Sequence, residues 1–190
     1  MTGTIERNAN APLPTVEGTE PETLSLAARA GRPTQVVLGV LRIALGFYFL
    51  WAFLDKTFGL GFATPAAKAW INGGSPTKGF LSGSEGPFSP FFQAIAGNGF
   101  INVLFMVGLL GIGLALILGI GLKVAAVAGT VMYVMMWAVV LPLTTNPILD
   151  DHITGAVTLI LFALTAAGTT WGLGRWWADQ SFVKKNRWLV

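Results

Sequence analysis

The sequence contains no cysteine and a single histidine, His152, among its 190 residues. The absence of thiols excludes disulfides and thiolate-held zinc or iron–sulfur centres, and one histidine cannot supply both axial ligands of a bis-histidine haem. We therefore expect no zinc, haem or iron–sulfur group held by this chain alone. Any redox role would need a diffusible cofactor or a partner protein.

Charged residues are also scarce. They make up 11% of the chain, against about 25% in soluble domains, while 53% of the residues are hydrophobic. The formal net charge is +3, which by itself would allow a nucleic-acid partner. However, the basic residues lie at the ends of apolar runs, where they suit lipid headgroups and membrane orientation. The composition therefore predicts a membrane protein in contact with lipid and with no nucleic-acid partner.

Four apolar runs follow the polar N-terminal residues. They cover residues 35–54, 100–118, 124–141 and 153–171. A helix of about 20 residues measures roughly 30 Å, which is the thickness of the hydrocarbon core, and a helix satisfies its own backbone there. We therefore predict an all-α membrane protein, a four-helix transmembrane bundle over residues 34–178.

The connection between the first two runs, residues 55–99, is much longer than the other two connections. It contains two helix-start signals, Thr64-Pro65 and Ser89-Pro90, which predict two short helices. We expect a long helical outer loop that lies on the end of the bundle. The alternative is an ordinary extracytoplasmic loop.

The basic residues are divided unevenly between the two ends of the predicted bundle. Eight of them lie before the first run, between the second and third, or after the fourth, and three lie on the opposite side. The positive-inside rule then predicts a multi-pass protein of the plasma membrane with both chain ends in the cytoplasm. The polar residues 1–33 are predicted to be a disordered cytoplasmic segment, and residues 179–190 a cytoplasmic C-terminal tail.

Small residues indicate where the helices pack. Gly111, Ala115 and Gly119 recur at four-residue spacing in the second run, and Ala125 and Gly129 do so in the third. Because lipid is as apolar as leucine, close backbone contact at small residues is what brings such helices together. We expect these positions to form the helix contacts.

Arg42 lies about a third of the way into the first run. A charge at that depth costs on the order of 3 kcal/mol unless protein, water or a headgroup surrounds it. Arg42 shares one helix face with Gly39, Gly46 and Lys56 at three- and four-residue steps, so it can point into the bundle as a site residue. The alternative is that its side chain extends back to the cytoplasmic headgroups.

A second group of ionisable residues is expected at the outer end. Asp55 and Lys56 end the first run, and Asp150, Asp151 and His152 open the fourth. If these ends are adjacent, the opposed charges could relay protons or hold a polar ligand. The alternative is structural, with Asp151 capping the fourth helix and pairing with Lys56. We predict no metal here, because the side chains diverge at the start of one helix.

The outer loop contains a glycine turn beside a cation. Asn72, Gly73 and Gly74 follow Trp70 and precede Lys78. Backbone amides in such a turn can hold an anion, although the segment matches no phosphate-loop pattern. A helix stop followed by a plain turn is the alternative.

Several short segments together carry a family resemblance. They are Leu41-Arg42-Ile43-Ala44-Leu45-Gly46, Lys56, the loop segment of residues 70–80, Asp151-His152, and Trp171-Gly172-Leu173-Gly174 with Trp176-Trp177. Over residues 36–178 the chain resembles the DoxX/DoxD family of small four-helix membrane proteins. The loop segment is more similar to the DoxD type than to the shorter DoxX type.

The resemblance implies a membrane subunit of a thiosulfate:quinone oxidoreductase, with quinone as the electron acceptor. It implies two sets of site residues, which are Arg42, Lys56, Asp151 and His152 for catalysis, and Trp70, Asn72, Gly73, Gly74 and Lys78 for the substrate. The expected partners are other membrane protein subunits or further copies of the chain. The main alternative is a non-catalytic accessory subunit of a larger respiratory membrane complex, which the lack of a redox centre favours. A small transporter or channel is the third possibility.

Overall fold

The computed structural model describes residues 31–190. The predicted disordered segment, residues 1–33, lies outside this range except for its last three residues. Within the described range the regular elements are eight α-helices: α1 (Arg32–Phe58), α2 (Lys78–Ser82), α3 (Ser89–Ile95), α4 (Gly99–Leu118), α5 (Leu122–Val139), α6 (Asp151–Leu164), α7 (Gly174–Asp179) and α8 (Ser181–Lys185). Four 3-10 turns accompany them, two between α1 and α2, one between α6 and α7, and one after α8. The prediction of an all-helical protein is confirmed.

Three of these helices are long and apolar enough to cross a membrane. They are α1, α4 and α5, with 27, 20 and 18 residues and mean hydropathies of 2.0, 2.6 and 1.7. α6 is also apolar, but its 14 residues measure only about 21 Å, which is less than the hydrocarbon core. The helices thus indicate a membrane protein, and a complete four-helix transmembrane bundle stays a prediction.

The predicted fourth run does not form one continuous helix. α6 ends at Leu164, a 3-10 turn covers Ala167–Thr169, and Ala166 and Trp171 have positive φ angles of 46° and 52°. Residues with side chains adopt this left-handed region only when other contacts compensate for its cost. Residues 165–170 contain Gly168 and three threonines, a weak helix-end signal that the prediction of one continuous run did not use. Compensating contacts come from Arg42 of α1, which donates hydrogen bonds to the carbonyls of Ala167, Thr170 and Trp171.

The long helices pack in the order α1, α4, α5 and α6, with α1 along α4 and α5 along α6. Their shared core is formed by buried apolar side chains from each of them, among them Phe49, Met106, Leu116, Leu159 and Phe162. Their outward faces carry exposed apolar residues such as Phe47, Val107 and Val127. Such faces are unfavourable in water and suit a lipid environment.

The glycine contacts differ in part from those expected. A Cβ atom built at Gly111 would meet nothing within 4 Å, so this glycine makes no helix contact. The close approach of α1 to α4 is at Gly46 and Gly113 instead, where a Cβ atom on Gly113 would lie 2.9 Å from the backbone nitrogen of Leu50. The spacing of small residues identifies candidate stripes, but only the packing decides which stripe faces a neighbour.

The outer loop is helical in part, as predicted. α3 begins at Ser89, with Pro90 in its first turn. The helix predicted after Thr64 is replaced by two 3-10 turns, Ala66–Lys68 and Trp70–Asn72, and α2 follows where no helix was expected.

Two buried polar residues of the long helices hold this loop in place. The Oδ1 atom of Asn102 accepts hydrogen bonds from the Ser75 hydroxyl at 3.1 Å and from the Thr77 hydroxyl at 2.7 Å. The carboxylate of Asp55 accepts from the backbone N–H groups of Phe62 and Ala63. The loop is therefore fixed over the ends of α1 and α4.

Candidate functional site

A cavity of about 510 Å³ lies between α4 and α5, beneath the outer loop. Its apolar wall comes from α4 with Leu104, Phe105 and Gly108, from α5 with Val131, Met132 and Met136, and from the loop with Phe80, Leu81 and Phe92. Leu104 and Val131 are more than half exposed, so the cavity opens sideways between the two helices. Because both helices are candidate membrane spans, this opening faces the region that acyl chains would fill.

Lys56 is the charged residue of the cavity lining. It lies in the last turn of α1 and is half-buried. Among residues 31–190, no carboxylate forms an ion pair with its ammonium group, because the neighbouring carboxylate of Asp55 is bonded to the loop backbone. The cavity therefore combines a long apolar wall with one cation at the end beside the loop.

The expected cluster of outer charges is not one site. The predicted pair between Lys56 and Asp151 is wrong, since the ion pairs in the described residues are Asp150 with His152 and Asp179 with Lys184. Asp150, not Asp151, caps α6 by accepting hydrogen bonds from the N–H groups of His152 and Ile153. Neither Asp151 nor His152 lines the cavity.

His152 lies in the first turn of α6 and is held from two sides. Its Nδ1 atom lies 2.6 Å from the Oδ2 atom of Asp150, and its ring centroid lies 5.9 Å from that of Tyr133. Tyr133 is buried and contacts Phe49 in the core, with the two ring centroids 5.1 Å apart. The structure thus joins His152 to the core through a chain of ring contacts, edge-to-face with Tyr133 and then tilted between Tyr133 and Phe49. Within residues 31–190 no group of three or more His, Cys, Asp or Glu residues could hold a metal.

The pKa of Asp150 is set by opposing effects. Burial raises it, but the hydrogen bond to His152, the backbone N–H of Ile153 and the charge of His152 together bring it below its ordinary value of 3.8. A carboxyl whose pKa is lower in the folded state stabilises the fold above its unfolded pKa, and this contribution disappears as the pH falls through the folded-state value. The start of α6 should therefore be acid-labile.

This predicts a pH-dependent effect of Asp150→Ala. At pH 7 the loss of the helix cap should lower the free energy of unfolding by about 1 kcal/mol, and the difference from wild type should shrink below pH 3.8. Thermal unfolding at a series of pH values measures it. Asp151→Ala is the matched control, because that side chain is exposed. An Asp150→Ala deficit that stays constant down to pH 2.5 would contradict the prediction.

Arg42 is fully buried, and all of its hydrogen bonds go to backbone carbonyl groups. The Nη1 group donates to the carbonyls of Leu116 and Ile117 in the last turn of α4. The remaining bonds go to the segment after α6, where Nε donates to Ala167 at 3.1 Å, and Nη2 to Thr170 and Trp171 at 3.0 and 3.1 Å.

A guanidinium group has five N–H donors, and the structure gives Arg42 five carbonyl partners. The prediction that Arg42 points into the bundle is confirmed, and the alternative of a side chain extended to the headgroups is wrong. Since no donor is left over, this geometry favours a structural role for Arg42 over binding of a quinone or an anion.

The Gly73-Gly74 turn also uses its amides internally. The N–H of Gly73 donates to Trp70 and that of Gly74 to Ala69, both at 3.0 Å, and the side-chain amide of Asn72 donates to Ala66. The expected anion cradle is therefore not formed, and the turn is the plain helix stop of the alternative reading. Trp70 packs against the core, whereas the side chain of Lys78 is exposed.

Sequence reasoning identified Lys56 and did not identify the cavity. The cavity wall consists of apolar residues at helical spacing, and in a sequence such residues look the same as core residues. No signal in the chain distinguishes the two, because the cavity exists only where α4 and α5 diverge beneath the loop.

Comparisons of the chain with protein-family models, with curated proteins and with solved structures found no match. The resemblance to the DoxX/DoxD family therefore stays a prediction from the motifs.

Proposed function

We propose that this chain is a multi-pass membrane subunit that binds a quinone in the cavity between α4 and α5, with the quinone headgroup beside Lys56. In this proposal α6 and the segment after it complete a fourth crossing, and both chain ends lie in the cytoplasm. The charges of the described residues support this orientation. Arg42 aside, the end where α4 stops has six cations and one carboxylate, and the loop end has three cations and four carboxylates.

The observation that carries the proposal is the shape and chemistry of the cavity. Ligand sites usually measure about 300–1,000 Å³, with mostly apolar walls and a few polar groups that fix orientation. The cavity of about 510 Å³, open sideways and ending at Lys56, has these properties. An isoprenoid chain would lie against Leu104 and Met132, and a quinone carbonyl oxygen could accept a hydrogen bond from the Lys56 ammonium group.

A bound quinone would supply a two-electron acceptor that also takes up two protons. The residues of this chain would orient it and exclude water, while the charge of Lys56 would favour negative charge on the headgroup oxygen. Proton delivery by Asp151 and His152 belongs to the proposal, although both residues lie outside the cavity lining. Only the family resemblance suggests thiosulfate as the electron donor. The exposed ammonium group of Lys78 is the residue of the loop that could bind such an anion.

Filling the mouth of the cavity should weaken quinone binding. Val131→Trp places a large ring at the opening, and we expect binding of decylubiquinone to weaken by on the order of tenfold, about 1.4 kcal/mol. Quinone retained by the purified full chain in detergent measures this. Val127→Trp is the matched control, because Val127 is one turn away on α5, is 69% exposed against 58% for Val131, and does not line the cavity.

Two further results bear on this proposal. Lys56→Met should weaken quinone binding and leave thermal stability close to that of Lys68→Met, which removes an exposed lysine outside the cavity. If Val131→Trp and Val127→Trp retain the same amount of quinone as wild type, quinone does not bind between α4 and α5.

A non-catalytic accessory subunit is the second candidate function. The observation that favours it is that Arg42 and the amides of Gly73 and Gly74 are all bonded within the chain. Co-purification with a larger membrane complex whose turnover is unchanged by Lys56→Met and His152→Ala would support it. Loss of turnover with the complex intact would favour the quinone-binding function.

A further inference from the structure

The C-terminal residues form a folded unit at the end of α4 and the start of α5. The N–H of Leu173 donates to the carbonyl of Leu118 at 2.8 Å, which fixes the unit to the last turn of α4. The indole N–H of Trp177 donates to the carbonyl of Leu189 at 3.0 Å, and Val183 is fully buried beneath the chain. The predicted C-terminal tail is therefore helical and folded back, so its position relative to α4 and α5 is defined.

This unit exposes aromatic rings at the end of two candidate membrane spans. Trp176, Phe182 and Trp188 are 56–63% exposed, although each is large and apolar enough to be expected in a core. Tryptophan is enriched at the membrane–water boundary because its ring is amphipathic. Since α4 and α5 meet at Gly121 directly beside the unit, the rings lie at the level where such a boundary would be.

The same unit carries four exposed cations. Arg175, Lys184, Lys185 and Arg187 all belong to the unit, and their side chains are exposed. The unit's Asp179 pairs with Lys184 at 3.2 Å, while the three other cations form no ion pair within residues 31–190. The surface therefore combines unpaired positive charge with boundary-seeking aromatic rings.

We propose that this surface, α7 to Val190, binds the headgroups of anionic lipids. The phosphate oxygens would accept hydrogen bonds from Lys185 and Arg187, while Trp176 and Trp188 lie against the adjoining acyl region. Charge complementarity selects an anionic bilayer, because a zwitterionic headgroup carries its own cation and gains less from the surface. The inference does not depend on quinone binding.

Native mass spectrometry of the detergent-solubilised full chain tests the proposal, with phosphatidylglycerol and phosphatidylcholine offered in equal amounts. Wild type should retain more phosphatidylglycerol. Lys185→Gln/Arg187→Gln should lower this preference by on the order of tenfold, since each basic residue near an anionic surface contributes several-fold. The matched control is Lys68→Gln/Lys78→Gln, which removes two exposed cations from the opposite end and should change the preference less than twofold.

A second measurement locates the lipid. Because the chain has no cysteine, Ser181→Cys can carry a single environment-sensitive fluorophore, with Ser82→Cys as the control at the other end. Phosphatidylglycerol should shift the emission of the first probe to the blue and leave the second unchanged. Equal retention of both lipids by wild type, equal effects of the two double variants, or no shift at position 181 would overturn the proposal, and a protein partner would then be the occupant to seek.

Discussion

Arg42→Met should lower the free energy of unfolding by about 3–5 kcal/mol, the largest loss expected from a single side chain here. The methionine side chain fills much of the same volume as that of arginine but has no N–H group. Five backbone carbonyls would each lose a hydrogen bond, those of Leu116 and Ala167 at buried positions and those of Ile117, Thr170 and Trp171 at partly buried ones. A carbonyl left without a partner away from water is costly. The ends of α4 and α6 should then separate.

The size of this effect follows from the hydrogen bonds at the C-terminus of α4, where every carbonyl group has a partner. The last four carbonyls of a helix have no partner within it. In α4 the carbonyl of Ala115 accepts from Gly119 and Ile120, that of Leu118 accepts from Leu173, and Arg42 satisfies the two between them. A cation at a helix C-terminus also interacts favourably with the helix dipole.

Reversible unfolding of the purified chain in mixed micelles measures the loss. Arg32→Met is the matched control, because Arg32 lies on the same helix with an exposed side chain. This variant should lower the free energy of unfolding by no more than about 0.5 kcal/mol. Arg42→Lys keeps the charge but has only three N–H donors, so its free energy of unfolding should lie between those of Arg42→Met and wild type. If Arg42→Met is as stable as Arg32→Met, the bonds of Arg42 do not hold the helices together.

Gly113→Leu should be the second most damaging substitution, with a loss of about 3 kcal/mol. A Cβ atom at this position would lie 2.9 Å from the backbone nitrogen of Leu50 and 3.2 Å from the carbonyl oxygen of Gly46. Backbone atoms cannot turn aside as the end of a side chain can. α1 and α4 would have to move apart, and the core around Phe49 and Leu116 would lose packing.

Gly111→Leu provides the control for this prediction. It adds the same side chain two residues earlier on α4, where a Cβ atom would meet nothing within 4 Å, and it should be neutral or slightly stabilising because leucine favours helix more than glycine. Thermal unfolding of the two variants in the same detergent measures the difference in their stability. Equal stabilities would show that α1 and α4 do not approach closely at Gly113.

The residue types along the chain were sufficient to predict apolar helices, but they were not sufficient to predict the roles of the polar residues. Arg42 was expected inside the bundle because a charge in an apolar run must find a partner, and the structure confirms this. Its partners could not be predicted, because they are carbonyl groups, which every residue possesses. The same holds for the amides of Gly73 and Gly74, which the chain uses in its own turn.

The amino-acid sequence is enough to predict that long apolar helices dominate this chain, because in a membrane hydrocarbon-length runs with few charges have no other low-energy backbone. It is also enough to predict that basic residues gather at one end, since their positions follow from where the runs stop. The folded chain was needed to show that Asp150 rather than Asp151 caps α6, that Arg42 joins the end of α4 to the segment after α6, and that a cavity opens beside Lys56. The cap depends on the local backbone where α6 begins, whose boundary residue a sequence pattern does not specify. The other two features depend on distances between residues far apart in the chain, which periodicity cannot specify.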